Sequence, residues 1–120
     1  KAIAIHSRPF EDSKLPFIQQ IFKEINKRNI PILVSDIFKT YLDKINFKLN
    51  FAGVFHDFND LNDVEIMFSL GGDGTFLETV TLVRHLGIPI LGINTGTLGF
   101  LATIAPQDIK SEFPPVTNVP

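Results

Sequence analysis

Apolar runs that alternate with amphipathic helical segments constrain the fold of this chain more than any other feature. Two segments carry apolar residues at helical spacing on one face, and a third is apolar all round. Strands that alternate with helices predict an α/β fold, a Rossmann-like parallel sheet with helices on both faces and right-handed crossovers. The apolar runs that predict the strands are residues 2–5, 30–34, 51–55, 66–70 and 88–93.

The predicted helices begin at residues whose side chains can accept hydrogen bonds from free backbone amides. Ser13 can cap the first helix and Asp36 the second. The third helix is predicted from Thr75 to Leu86, where Thr75 and Glu78 have the spacing of a capping box. Because apolar residues occupy all of its faces, we expect this third helix to be buried.

Size and composition indicate one globular domain. The chain has 120 residues, of which 44% are hydrophobic and twelve are phenylalanine, so it can bury a substantial core. It starts without a methionine and ends in a proline-rich stretch, 113–120. We therefore expect a piece of a longer protein.

Several classes of function are disfavoured by composition. The absence of cysteine excludes disulfides and thiolate metal sites, and it fits a reducing compartment, with the cytoplasm as the default location. No apolar run approaches the roughly 20 residues that span a bilayer, so no membrane partner is expected. Nine of the eleven basic residues lie within 1–48, scattered over two helices, and the net charge is −2. This distribution does not indicate a nucleic-acid partner.

The histidines and the acidic loop do not have the spacing of metal ligands. No two of His6, His56 and His85 share a helix face, so a zinc site is not expected. The acidic segment 57–63 lacks the glycine that a calcium loop needs at its sixth position. No residue is therefore assigned as a metal ligand.

A glycine-rich loop is the strongest functional signal. Seven of the eight glycines lie between Gly71 and Gly99, after two successive strands, and ligands of open α/β sheets bind at the carboxyl ends of strands. In Gly71-Gly72-Asp73-Gly74-Thr75, bare backbone precedes a helix whose free amides and positive dipole end favour an anion. The loop therefore predicts a phosphate site.

The carboxylate inside this loop distinguishes it from other phosphate loops. The Walker sequence and the third glycine of the dinucleotide fingerprint are both missing. A negative charge adds nothing to ground-state phosphate affinity, so Asp73 suggests chemistry on a hydroxyl or a metal ion. The alternative is that the glycines only form a turn, with Asp73 hydrogen-bonded to nearby amides.

Two segments resemble the NAD kinases: Gly71–Leu77, reading GGDGTFL, and Asn94–Leu101, reading NTGTLGFL. Diacylglycerol and sphingosine kinases carry a similar first motif, whereas the second is similar to NAD kinases alone among these families. The resemblance implies Mg²⁺-dependent transfer of the terminal phosphate of ATP to the adenosine ribose 2′-hydroxyl of NAD, which yields NADP. The alternatives are a lipid kinase and a non-catalytic nucleotide-binding module.

The resemblance also implies roles for individual residues. Asp73 would act as the base or the positioning carboxylate for the 2′-hydroxyl. The backbone of Gly72 and Thr75 would face phosphates, and Gly74 and Leu77 would contact NAD. Leu98 and Phe100 would line the adenine side of the pocket, and Gly99 would also belong to the cofactor site. The alternative for Phe100 is that it is a core residue.

Family members have a second, β-rich domain with an Asn-Glu or Asn-Asp pair, which nothing in this sequence matches. We accordingly expect residues 1–113 to be the nucleotide-binding domain and 114–120 a tail or linker. Only Arg84 and Lys110 are basic beyond residue 48, so Mg²⁺ and groups outside the chain must neutralise the substrate phosphates. The 120 residues alone should have little or no kinase activity, and the family suggests a homo-oligomer, either a dimer or a tetramer.

Overall fold

A computed structural model describes residues 1–83 and 85–93, which form a five-stranded parallel sheet with three α-helices. The predicted α/β fold is thereby confirmed. The strands are β1 (Ala2–Ser7), β2 (Ile32–Ser35), β3 (Gly53–Phe55), β4 (Val64–Leu70) and β5 (Ile90–Ile93). The helices are α1 (Leu15–Lys27), α2 (Asp36–Lys44) and α3 (Asp73–Val83).

Helices cover both faces of the sheet, and the alternation of side chains along β1 shows how. Ile3 and Ile5 point into a core that they share with α1 and α2. Ala2 and Ala4 point to the opposite face, where a second core contains Met67 and the α3 residue Val83. Since neighbouring residues of a strand face opposite ways, one apolar run supplies both cores.

The order of the strands is β3-β2-β1-β4-β5, so the chain reverses direction across the sheet between β1 and β4. From β1 the chain proceeds outward through β2 and β3, and it then returns to the centre as β4 before continuing to β5. Such a reversal separates the loops that follow the two central strands and opens a crevice between them. In this sheet the crevice lies between the loop after β1 and the glycine loop after β4.

Two of the predicted helix caps are wrong, each by one residue. Ser13 lies inside a short 3₁₀ turn, Asp12–Lys14, which leads directly into α1, so Ser13 does not cap that helix. The cap of α2 is Ser35, whose extended backbone lets its hydroxyl accept the Phe38 amide. Asp36, the predicted cap, is instead the first residue of α2.

The third helix differs more from its prediction. It begins at Asp73 rather than Thr75, so Thr75 is already inside the first turn. Only Thr79 and Val83 of its residues are buried, whereas Leu77 is 67% exposed and Val80 43% exposed. The expectation of a helix buried on all sides is therefore wrong for the described part of the chain, because one face alone packs on the sheet.

No helix within residues 1–83 and 85–93 has the length and apolar character needed to cross a bilayer.

Candidate functional site

Gly71 forms the sharp turn that takes the chain from β4 towards α3. Its φ of +143° belongs to a region that residues with a side chain rarely adopt, and a Cβ atom there would lie 2.7 Å from Thr75 Oγ1. Both conditions require glycine. The Gly71 amide donates a hydrogen bond to the Ile93 carbonyl at 2.9 Å, which fixes the start of the loop against the end of β5.

Gly72 and Gly74 differ from Gly71, because the packing around them would accept a side chain. Both are exposed, and a Cβ atom on either would meet nothing within 4 Å. The first amide to bond back into the turn is that of Phe76, which donates to the Gly72 carbonyl at 3.1 Å. The amides ahead of it have no partner within the helix and form the positive end of α3. The loop thus offers bare backbone and free donors to an anion.

Asp73 lies between these two glycines as the first residue of α3, and it is exposed. Among the described residues its carboxylate has no hydrogen-bond partner, so the alternative of a purely structural bond to nearby amides finds no support there. An exposed carboxylate beside a glycine turn at a helix start can accept a hydrogen bond from a ligand or bind a cation.

The predicted capping box between Thr75 and Glu78 does not form. Glu78 instead contacts the central strand β1, where its Oε1 lies 2.8 Å from His6 Nε2. Its Oε2 accepts a hydrogen bond from Arg8 Nη1 at 3.4 Å. Since α3 begins two residues earlier than predicted, Glu78 lies one turn too far along the helix to reach the capping position.

His6 is completely buried and connects two helices through its ring. Its Nδ1 lies 2.7 Å from Ser35 Oγ, and its Nε2 bonds to Glu78. In the tautomer whose Nε2–H donates to the Glu78 carboxylate, Nδ1 accepts the Ser35 hydroxyl. Ser35 Oγ in turn accepts the Phe38 amide at 3.2 Å. The chain of bonds therefore joins the start of α2 to α3 through the sheet.

A second polar contact holds α3 against β4. The Thr79 hydroxyl is buried and lies 3.0 Å from Ser69 Oγ and 2.8 Å from the Thr75 carbonyl. Ser69 is itself buried near the end of β4. The helix that carries Asp73 is thus attached by polar groups on two strands, which limits its freedom to move relative to the glycine loop.

Sequence reasoning missed Arg8, Ser35 and the true partner of Glu78. The only available signal was that His6 follows four apolar residues in a strand predicted to be buried, where a polar ring needs partners. Those partners are 29 and 72 positions away along the chain, so the pattern of β1 alone does not identify them.

The predicted site residues fall into two groups. Gly72, Asp73, Gly74, Thr75 and Leu77 lie together on the loop and first turns of α3. Leu98, Gly99 and Phe100 lie outside the described residues, as do Arg84 and Lys110. Asn94, where the second motif begins, directly follows Ile93, the last residue of β5.

Within the described ranges, no group of three or more histidine and acidic side chains could hold a metal ion. Asp73 is an exposed oxygen ligand at the loop, and Mg²⁺ commonly takes one or two carboxylates together with substrate phosphates. The donor chemistry at the loop thus fits a cation that arrives with a nucleotide, rather than one held by a protein cage.

Comparison with known protein families identifies the family to which this chain belongs. The family model of the ATP-NAD kinase N-terminal domain matches residues 3–118. The chain belongs to the family of ATP-NAD kinase N-terminal domains. The match includes the glycine loop and the segment with the second motif, so the family resemblance that these motifs predicted is confirmed.

Individual relatives agree with the family assignment. The chain is 39% identical over 108 residues to the NAD kinase of Cytophaga hutchinsonii. The aligned segment covers 89% of this chain and 37% of that protein. It is 40% identical over 110 residues to the NAD kinase of Flavobacterium psychrophilum, covering 91% and 37% respectively. The NAD kinase of Bacteroides fragilis is 40% identical over 108 residues. The chain thus spans 37% of the length of these curated relatives.

Proposed function

We propose that the full-length protein carrying this chain is an NAD kinase, which transfers the terminal phosphate of ATP to the adenosine ribose 2′-hydroxyl of NAD. One observation carries the proposal: an exposed carboxylate, Asp73, lies between two glycines whose backbone is open to a ligand. Phosphoryl transfer requires mainly alignment and charge stabilisation, and this arrangement supplies both.

The proposed role of the glycine loop is to bind phosphate. The free amides at the start of α3 donate to phosphate oxygens, and the absence of side chains at Gly72 and Gly74 lets the phosphate approach the backbone closely. Asp73, together with the substrate phosphates, would hold Mg²⁺, which would supply positive charge at the phosphoryl group.

The proposed role of Asp73 is to orient the acceptor. Its carboxylate accepts a hydrogen bond from the 2′-hydroxyl and holds that oxygen in line with the terminal phosphorus. The hydroxyl oxygen forms the new P–O bond, and the bond from that phosphorus to the β,γ-bridging oxygen breaks. ADP leaves, and the hydroxyl proton passes to Asp73 or to water.

NAD is held, in this proposal, by Gly74 and Leu77 on one side and by Leu98, Gly99 and Phe100 on its adenine side. Leu77 is suited to this role because its side chain is 67% exposed on the same helix as Asp73. Residues 1–113 would form the nucleotide-binding domain and 114–120 a tail or linker towards a β-rich domain. We further propose a cytoplasmic homo-oligomer.

A substrate panel tests the proposal. Purified full-length protein is incubated with γ-³²P-ATP, Mg²⁺ and either NAD or diacylglycerol in mixed micelles. Label in NADP, and none in lipid, supports an NAD kinase. Label in lipid alone would make the protein a lipid kinase. Binding of NAD without label in either acceptor would indicate a non-catalytic module.

A further inference from the structure

We propose that Arg8 binds a substrate phosphate in this site and that Glu78 is the residue that positions it. The inference rests on the proposed function and extends it, since Arg8 belongs to neither of the motifs that characterise the family. It supplies a positive charge that the second half of the sequence hardly provides, where only Arg84 and Lys110 are basic.

The position of Arg8 in the sheet is the first support. Ser7, the last residue of β1, pairs with Leu70, the last residue of β4, so Arg8 and Gly71 leave the two central strands at the same level. This is the point where the strand order reverses and the crevice opens. Ligands of open α/β sheets bind in that crevice, and Arg8 and the glycine loop follow the two strands that border it.

The contact between Arg8 and Glu78 is the second support. Glu78 lies on α3, little more than one turn beyond Asp73, and it accepts one hydrogen bond from Arg8 Nη1 at 3.4 Å. A guanidinium group carries five N–H donors, so most of them remain for another anion. The side chain of Arg8 is 52% exposed, which leaves those donors accessible.

The rigidity of Glu78 is the third support. Its other oxygen is held at 2.8 Å by His6, a ring that is itself completely buried and bonded to Ser35. A long arginine side chain normally loses rotamer freedom on binding a ligand, and a fixed carboxylate reduces that loss by restraining the side chain beforehand. Glu78 thus acts through Arg8 and does not itself need to touch substrate.

The direction in which KM changes when Glu78 is substituted shows whether Glu78 positions Arg8 or only repels the substrate phosphates. A carboxylate that only lies near phosphates would repel them, so removing its charge would lower KM. A carboxylate that holds Arg8 in place would raise KM when its charge is removed. Glu78→Gln keeps the shape and an acceptor for His6 Nε2, but it loses the ionic attraction for Arg8.

The test uses the full-length protein and measures kcat and KM for NAD and ATP separately. Arg8→Ala should raise KM for one of the two substrates about tenfold to a hundredfold, as expected for a lost charge-assisted bond. The substrate whose KM rises is the one whose phosphate Arg8 binds. Arg8→Lys should recover part of the loss, since it keeps a point charge without the planar donors. Glu78→Gln should raise the same KM by a smaller factor.

Lys23→Ala is the matched control, because Lys23 is an exposed cation on α1 outside the proposed site. It should leave both KM values unchanged, and the melting temperatures of all variants should match the wild type within a few degrees. If the enzyme is active and a folded Arg8→Ala variant has unchanged KM values, Arg8 does not bind a substrate phosphate. The proposed function would still stand. A lowered KM in Glu78→Gln would overturn its positioning role. An inactive wild type would instead remove the proposed function, and this inference with it.

Discussion

The Gly71 amide donates a hydrogen bond to the Ile93 carbonyl at 2.9 Å, and this bond joins the ends of two neighbouring strands where the two sequence motifs begin. Gly71 opens the glycine loop, and Asn94 follows Ile93 directly. The ladder between β4 and β5 is thereby extended to the first residue of the loop. A site formed by both motifs needs no long-range rearrangement, because the sheet already brings their starting points together.

Gly71→Ala should destabilise the protein by about 2 kcal/mol or more. An alanine would have to adopt a positive φ, which costs of order 1–3 kcal/mol, and its Cβ would also collide with Thr75 Oγ1. Urea unfolding followed by circular dichroism measures the change. An unaltered unfolding midpoint would show that the turn tolerates a side chain.

Gly74→Ala, in contrast to Gly71→Ala, should keep its stability and lose kinase activity. The Cβ meets nothing within 4 Å, and alanine in a helix is favoured over glycine by up to about 1 kcal/mol. The methyl group would hold a ligand away from the backbone, and a misplacement near 1 Å lowers rates by about 100-fold. Unfolding and NADP formation are measured on the same preparation. Full activity in this variant would show that no ligand approaches this glycine.

His6→Ala should lower the free energy of unfolding by about 2–4 kcal/mol. The substitution leaves a cavity in the sheet and removes the buried partner of Ser35 and Glu78. His56→Ala is the control, because that ring is exposed and should change stability by less than about 0.5 kcal/mol. Equal effects of the two substitutions in urea unfolding would contradict the role assigned to His6.

Leu77→Ala should raise KM for NAD about tenfold without loss of stability. Its side chain is 67% exposed, so truncation removes little packing, whereas a contact with a bound nucleotide would lose about 1–2 kcal/mol. Val80 is 43% exposed on the same helix, and Val80→Ala should change neither KM for NAD nor the stability. The two variants are compared by steady-state kinetics and thermal melting. An unchanged KM for NAD in Leu77→Ala would exclude Leu77 from the binding site.

Much of the fold was predictable, because apolar periodicity indicates where strands and helices lie; it did not predict the burial of α3, which is apolar all round yet packs on one face only. Within the part of the chain that the structure describes, the five strands and three α-helices lie where the pattern predicts them, with ends that differ by a few residues. The helix starts were less predictable, since several side chains near a start can each accept an amide. Ser35 rather than Asp36 caps α2 because its backbone, not its residue type, brings the hydroxyl to the Phe38 amide.

The candidate site was predictable only for residues that are adjacent in the sequence. A contiguous loop places Gly72, Asp73 and Gly74 together in any fold that forms the turn. The partners of Glu78 were not predictable, because they depend on which strand lies beside β4, and the capping-box spacing pointed to a different role. The strand order that makes β1 the neighbour of β4 is a property of the whole sheet.

The most direct test of the central claim is the turnover number of Asp73→Asn in the full-length protein at saturating NAD, ATP and Mg²⁺. Asparagine keeps the size of the side chain, but it removes the negative charge that, in our proposal, orients the 2′-hydroxyl. We predict that kcat falls by about 10²–10⁴-fold while the melting temperature stays unchanged, since the carboxylate is exposed. A kcat within twofold of the wild type would contradict a chemical role for Asp73.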